Sequence, residues 1–183
     1  MLLKMQGHGL ITLPPPQRSN GNRSRNKRPR QTPKGDPQQL VNGKLNALLP
    51  LRIEPVGADK GPLWNELMHR YHYLGYSALV GHQLRYLIYA GDGRLLAALG
   101  FSGAAWNMQA REEYITWDAA KRKQNLEKIV NNSRFLILPW VQVKNLASSI
   151  LALSTRQIPL DWEKKYCVKP LLLETFIEDY RFK

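Results

Sequence analysis

Residues 134–150, RFLILPWVQVKNLASSI, contain the stretch that decides the fold. Its first part, 135–138, is a nearly continuous apolar run, which is typical of a strand buried on both faces near the centre of a sheet. Its second part opens the apolar segment 143–155, whose side chains suit a helix packed on that sheet. The stretch therefore predicts a central strand followed by a helix.

The segments on either side predict a mixed α/β (α+β) fold, with a mixed sheet flanked by helices. Residues 51–56 alternate apolar and polar side chains, as a half-buried strand does. Residues 84–89 and 95–101 flank a loop with Gly91 and Gly93, which indicates a β-hairpin because glycine permits positive φ. We also expect helices over 64–71 and 117–131 with a break at 131–133, a short helix from 161, and a strand over 170–177.

The positive charge is concentrated near the start of the chain. The net charge is +13 over 183 residues, and residues 1–36 hold eight basic side chains against Asp36 alone. Such a segment, poor in apolar residues, cannot offset the entropy of ordering, so we expect a disordered basic linker over 17–45. Its first expected partner is nucleic acid, bound non-specifically; a solubilising linker is the alternative. The phosphate-binding residues would be Arg18, Arg23, Arg25, Lys27, Arg28, Arg30 and Lys34.

Several protein classes are excluded by composition. No apolar run reaches the roughly 18 residues that a bilayer-spanning helix needs, and the N-terminus does not have the pattern of a signal peptide. Cys167 is the single cysteine, so disulfide frameworks and multi-cysteine zinc sites are excluded. His69 and His72 could share a helix face, but no third metal ligand stands near them. We therefore expect a cytoplasmic protein without a metal or a membrane partner.

One motif at the strand-to-helix junction is similar in spacing to the acyl-CoA-binding element of GNAT N-acetyltransferases. Gln142 and Ala147 match that element, whereas Asn145 stands where those enzymes have their first glycine. A helix N-terminus offers unpaired N–H groups to a pyrophosphate, so the similarity implies acyl-CoA as a possible cofactor. The alternative is that the helix only packs its apolar face on the sheet, with no cofactor bound.

Five longer runs resemble the signature runs of the DruA family, which is associated with the Druantia anti-phage system and with transposable elements. The runs are HYLG at 72–75, LGFSGAAW at 99–106, NNSRFLILPW at 131–140, NLAS at 145–148 and LETF at 173–176. The resemblance implies a GNAT-like domain over 46–183, and it makes 1–16 the remnant of an N-terminal region. It also implies that both ends are shorter than in other members. The closing helix that often carries the GNAT proton-donating tyrosine would then be missing, so acyltransferase activity is not expected of this chain by itself.

Three functions remain open at this point. The chain is a nucleic-acid-associated module of anti-phage defence or of a mobile element, an acyl-CoA-dependent acyltransferase, or a non-catalytic scaffold for partner proteins of a defence system. Contact with DNA could also come from Arg111, Lys121, Arg122 and Lys123 in the folded domain. Glu174 lies within an apolar run, where an unpaired carboxylate is costly. It therefore points outward, meets a partner such as Arg134, or serves as a GNAT-type base.

Overall fold

A computed structural model describes residues 2–12, 14, 28–79 and 81–176. Its α-helices are α1 (Leu2–Gly7), α2 (Gly61–Tyr71), α3 (Gln109–Ile115), α4 (Ala119–Asn125) and α5 (Leu146–Tyr166). Its strands are β1 (Val41–Gly43), β2 (Arg52–Pro55), β3 (Gln83–Tyr89), β4 (Leu95–Gly103), β5 (Ile129–Ile137), β6 (Val141–Val143) and β7 (Leu172–Thr175). Short 3-10 helices cover Pro33–Gly35, Leu45–Leu48 and Leu126–Lys128. None of the described helices is long and apolar enough to cross a membrane.

A five-stranded mixed sheet in the order β2-β3-β4-β5-β7 confirms the predicted fold class. Its pairs are antiparallel except β5 with β7, which run parallel. The predicted hairpin is present as β3 and β4. The strand expected at the centre, 135–138, belongs to β5, which lies inside the sheet between β4 and β7. Among the described residues, β4 pairs with residues 130–137 of β5 and β7 pairs with residues 129–132.

Helices α2 and α5 pack on opposite faces of this sheet. On one face, Trp64 of α2 lies so close to Gly100 of β4 that an added Cβ there would be 3.0 Å from the indole ring. On the other face, the Tyr86 hydroxyl donates to Asp161 of α5 at 2.8 Å. Tyr86 pairs with Leu99, and neighbouring residues of a strand point to opposite faces. The buried core therefore lies on both sides of the sheet, one part under α2 and the other under α5.

Two of the helix predictions have the wrong ends. The helix expected over 117–131 is only Ala119–Asn125, and the expected break at 131–133 lies inside β5, because two neighbouring strands pair with Asn131 and Asn132. Helix α5 runs without a break to Tyr166, so no separate helix begins at 161. It continues past Pro159 because Ile150, Ser154, Ile158 and Trp162 are buried at intervals of four residues along one side.

The linker expected to be disordered over 17–45 is ordered in its C-terminal part, so that prediction is wrong for residues 32–43. The Glu66 carboxylate, which is buried, accepts from the backbone N–H and the hydroxyl of Thr32, each at 2.8 Å. Gly35 packs against the same carboxylate. Further along, β1 pairs in parallel with β6. A buried acid that needs donors thus orders this segment, whereas residues 15–27 lie outside the described part.

Candidate nucleic-acid interface

A row of polar side chains crosses three neighbouring strands on one face of the sheet. Ser102 of β4 pairs with Asn131 of β5, and Asn131 pairs with Glu174 of β7. Residues that face each other across strands share a face of the sheet. The row lies near the end of the pairing between β5 and β7, which covers residues 129–132 of β5 in the described part of the chain.

Glu174 in this row has its charge partner on helix α3. Arg111 Nη1 donates to Glu174 Oε1 at 3.2 Å, and Arg111 Nη2 donates to the Ala105 carbonyl at 2.8 Å. The two side chains are only 4% and 10% exposed, so this is a buried ion pair. Of the alternatives for Glu174, the charge partner is the one observed, and the partner is Arg111 rather than Arg134. Sequence could not find the pair, because 63 residues separate Arg111 from Glu174.

Arg134 instead turns toward neutral oxygens. Its Nη2 donates to the Ser77 hydroxyl at 2.7 Å, and its Nη1 donates to the Ser133 carbonyl at 2.6 Å. Burial lowers the pKa of this guanidinium, an effect that the phenol of Tyr73 partly opposes. A register shift between Gly100 and Phe101 inserts Ser133 as an extra residue of β5. This bulge places Arg134, rather than Ser133, opposite Gly100.

Arg122 of α4 is also occupied, and it fixes the position of an exposed tryptophan. Its guanidinium donates to Glu112 and lies over the Trp106 ring, 5.4 Å from the centroid. The hydrogen bond from Arg122 lowers the pKa of Glu112. Of the four folded-domain residues considered for DNA contact, Arg111 is therefore buried and Arg122 is paired. Lys121 and Lys123 are exposed.

We group these two lysines with four more, at position 128 and in segment 164–169, and call the group the basic surface. It joins the α4 region to the end of α5, because the Leu171 N–H donates to the Lys128 carbonyl at 2.8 Å. Lys128 Nζ binds the Asn125 amide oxygen, and Lys165 Nζ binds the Gln83 carbonyl. Its members have no salt bridge to any described acid: Lys121, Lys123, Lys128, Lys164, Lys165 and Lys169.

A cavity of about 480 Å³, the aromatic cavity, lies against this surface. The His82 ring stacks on Tyr166 with centroids 4.1 Å apart, and its centroid lies 6.2 Å from that of Trp162. Trp106 is 56% exposed. The lining combines apolar rings with a cation, amide and acid groups: Gly81, His82, Gly103, Ala104, Trp106, Lys123, Gln124, Leu126, Glu127 and Trp162.

The sequence did not predict this cavity. Its aromatic residues come from segments near 82, 106 and 162, which are distant in the chain and have no shared motif. One weak signal was present in the sequence. Trp106 ends one of the runs that resemble the family, and an exposed tryptophan can indicate a binding surface, whereas a buried one usually indicates the core.

The predicted acyl-CoA residues are neighbours at the start of α5. Gln142 is exposed on β6 and pairs with Asn42 of β1, while Ala147 lies half-buried in the first helical turn. Asn145 has the left-handed conformation, with φ 66° and ψ 5°, that a glycine adopts readily. In the chain, β6 and its pairing with β1 lie between β5 and the helix.

The basic arm, which we define as the seven predicted phosphate-binding residues, is only partly described. Arg28, Arg30 and Lys34 are exposed. Lys34 lines a cavity together with Trp140 and Arg94. This cavity is different from the one that Lys123 lines. Arg18, Arg23, Arg25 and Lys27 lie outside the described residues.

Of the two histidines considered for a metal site, His72 has a structural contact. His72 is buried at the end of α2, and its Nδ1 accepts from the Leu74 N–H at 3.2 Å. No three histidine, cysteine or carboxylate side chains within 2–12, 28–79 and 81–176 stand close enough together to hold a metal ion.

Comparison with known proteins identifies the family. The family model described as Druantia protein DruA matches residues 4–182 of this chain. No curated protein and no solved structure matches it. The runs that resembled this family supply the polar row, Trp106 and Asn145. Because the match covers nearly the whole chain, the chain belongs to the DruA family, and that membership implies a component of anti-phage defence.

Proposed function

We propose that this chain acts in anti-phage defence as a nucleic-acid-associated module. In this proposal the basic surface and the basic arm bind phosphates, and no base sequence is read by them. Family membership supports the role in anti-phage defence. The arrangement of positive charge supports the binding of phosphates.

The observation that supports the proposal best is a group of six lysines that form no salt bridge with a described acid. Five of them are exposed and Lys128 is half-buried. Elsewhere in the described residues, basic side chains such as Arg52, Lys60, Arg70 and Arg94 are paired with carboxylates. Lysines without a carboxylate partner can contact phosphates without first breaking an ion pair, and each such contact releases counterions condensed on the nucleic acid. Two chain segments contribute three lysines each, so the cluster is a product of the fold.

The test is a charge reversal compared at two salt concentrations. We expect the triple variant Lys121→Glu, Lys123→Glu and Lys164→Glu to weaken duplex binding at least tenfold and to reduce its salt dependence. Each phosphate contact contributes a slope of about −0.9 to log K against log salt, so losing three should flatten the slope by about 2.7. The measurement is fluorescence anisotropy with a labelled DNA duplex.

The matched control is Lys44→Glu, because Lys44 is also exposed but lies in the segment between β1 and the next 3-10 helix. It should change binding only slightly. Replacing the seven arm residues with glutamine separates the arm from the surface. The proposal fails if the intact chain binds neither a duplex nor a single strand of nucleic acid, or if the triple variant binds as the control does.

A second candidate is an acyl-CoA-dependent acyltransferase on a GNAT-like scaffold. It is favoured by one observation: β5 and β7 are parallel neighbours that part after Asn132, and β5 leads to a helix preceded by the left-handed Asn145. A parted pair of parallel strands exposes backbone groups that a pantetheine arm could use. In this candidate Gln142, Asn145 and Ala147 would surround the pyrophosphate.

Calorimetry with CoA tests the second candidate. Binding that is lost in Ala147→Tyr and kept in Ser148→Tyr, one position along the helix, would support it. If the unmodified chain gives no measurable heat of binding, the junction does not bind CoA and serves only to pack the helix on the sheet.

A further inference from the structure

We infer that the aromatic cavity binds an unpaired base of a single-stranded nucleic acid whose phosphates lie on the basic surface. The inference rests on the proposed function and narrows it from nucleic acid in general to strands with bases that are not in a duplex. It assigns the binding of phosphates to the basic surface and the binding of a base to the aromatic cavity.

The cavity has suitable walls for a flat ring. His82 is exposed and already stacks on Tyr166 with an interplanar angle of 14°, so a base placed on it would extend an existing stack. Trp106 offers a second exposed ring, held in place by Arg122. Bases stack on aromatic side chains whatever their identity, because every base has a π face.

The cavity also offers hydrogen-bonding groups, which an apolar ligand would not need. Gln124 and Glu127 supply an amide and a carboxylate, and Lys123 belongs to both the cavity and the basic surface. Trp162 lines the cavity and is fully buried, yet its indole N–H has no acceptor among the described residues. A base carries the carbonyl and ring-nitrogen acceptors that can satisfy such a donor.

The volume agrees with this ligand. About 480 Å³ is within the usual range for small-molecule sites and is large enough for one nucleotide. A base within a duplex is covered by its neighbours above and below. It could enter the cavity only after leaving the stack, so a single strand is the preferred ligand.

The structure offers a variant that fills the cavity without disturbing the core. Gly103 lies at the end of β4 and lines the cavity, and a Cβ added to it would meet no described atom within 4 Å. Gly103→Phe should therefore fold normally and occupy the space of the base. Trp106→Ala removes one wall. Tyr114→Ala is the control, since Tyr114 is 87% exposed and does not line the cavity.

The experiment compares four labelled probes of about 20 nucleotides by fluorescence anisotropy: oligo-dT, oligo-rU, a strand of abasic residues, and a duplex. The abasic strand carries the phosphates without the bases. We expect oligo-dT or oligo-rU to bind about tenfold more tightly than the abasic strand, and the tighter of the two identifies the natural sugar. Gly103→Phe and Trp106→Ala should reduce that binding to the abasic level, with Tyr114→Ala unchanged.

Two outcomes would overturn the inference: equal binding of the abasic and base-carrying strands, or full preference for bases in a folded Gly103→Phe. Either result leaves phosphate binding by the lysines intact. Failure of the proposed function is different, because then none of the four probes would bind. Circular dichroism of each variant confirms that it is folded before its binding is interpreted.

Discussion

Glu66 on helix α2 accepts two hydrogen bonds from Thr32, a residue 34 positions earlier in the chain. Arg70 adds a third donor, at 3.0 Å, and also reaches Asp36 at 2.9 Å. The hydroxyl of Tyr71 donates to the Gly35 carbonyl. One buried carboxylate thus fastens the segment that carries the described part of the basic arm to the folded domain.

Replacing this carboxylate by its amide should release the arm. In Glu66→Gln one oxygen becomes a donor facing the donors of Thr32 and Arg70, so we expect a loss of about 1–3 kcal/mol in the free energy of unfolding. Hydrogen exchange should also speed up at Thr32 and Gly35. The measurement is urea denaturation, with Glu113→Gln as the control because Glu113 is exposed and accepts only from Gln109 among the described residues. Equal stability of the two variants would contradict the assignment.

The same carboxylate predicts a dependence of stability on pH. Burial opposes ionisation of Glu66, but hydrogen bonds from Thr32 and Arg70 hold its pKa below the ordinary value. A lowered pKa in the folded state means that the stabilisation is complete above the unfolded value of about 4.3 and is lost as pH falls through the folded pKa. The stability difference between the unmodified chain and Glu66→Gln should therefore be constant from pH 7 to 5 and shrink below pH 4. If the stability difference between the two proteins grows as the pH falls, the prediction is wrong.

Two glycines of β4 should respond differently to the same substitution. A Cβ on Gly100 would lie 3.0 Å from Trp64 Cζ2 and 3.1 Å from Arg134 Cβ. Both neighbours are held in place, so Gly100→Ala should cost about 1–3 kcal/mol of stability through overpacking. Gly103→Ala, in the same strand with open space beside it, should be nearly neutral. Thermal unfolding of the two variants decides the matter, and similar melting temperatures would refute the tight contact.

The Arg111–Glu174 pair should behave as a unit. Removing either charge alone leaves its buried partner uncompensated, so Arg111→Met and Glu174→Gln should each destabilise by about 3–5 kcal/mol. The double variant should cost clearly less than the sum of the two. A double-mutant cycle from urea denaturation measures this coupling; additive losses would mean that the two side chains do not interact in solution.

Much of the sheet could be predicted because its signals are local. The β3–β4 hairpin follows from apolar runs around Gly91 and Gly93, and β2 follows from alternation. The limits of the helices could not be found in this way. Asn131 and Asn132 have turn-like side chains, yet pairing with strands on both sides overrides that preference. Pro159 similarly does not end α5, because the buried side of the helix continues to Trp162.

The candidate site was predictable only in part. Lys121 and Lys123 were considered from sequence, and they remain in the basic surface. Arg111 and Arg122 carry the same charge as these lysines, but in the folded chain each is paired with a carboxylate. The aromatic cavity depends on residues brought together from three parts of the chain, which no single motif contains. Acyl-CoA binding at Gln142, Asn145 and Ala147 stays a prediction.

The pairing of β1 with β6 has a mechanical consequence. The two strands pair in parallel over 41–43 and 141–143, and Asn145 follows two residues after β6. The segment that includes Thr32 is therefore attached to the folded domain at two places, at Glu66 of α2 and along β6. Loss of the Thr32 contact alone would leave it attached through β1, next to the start of the longest described helix.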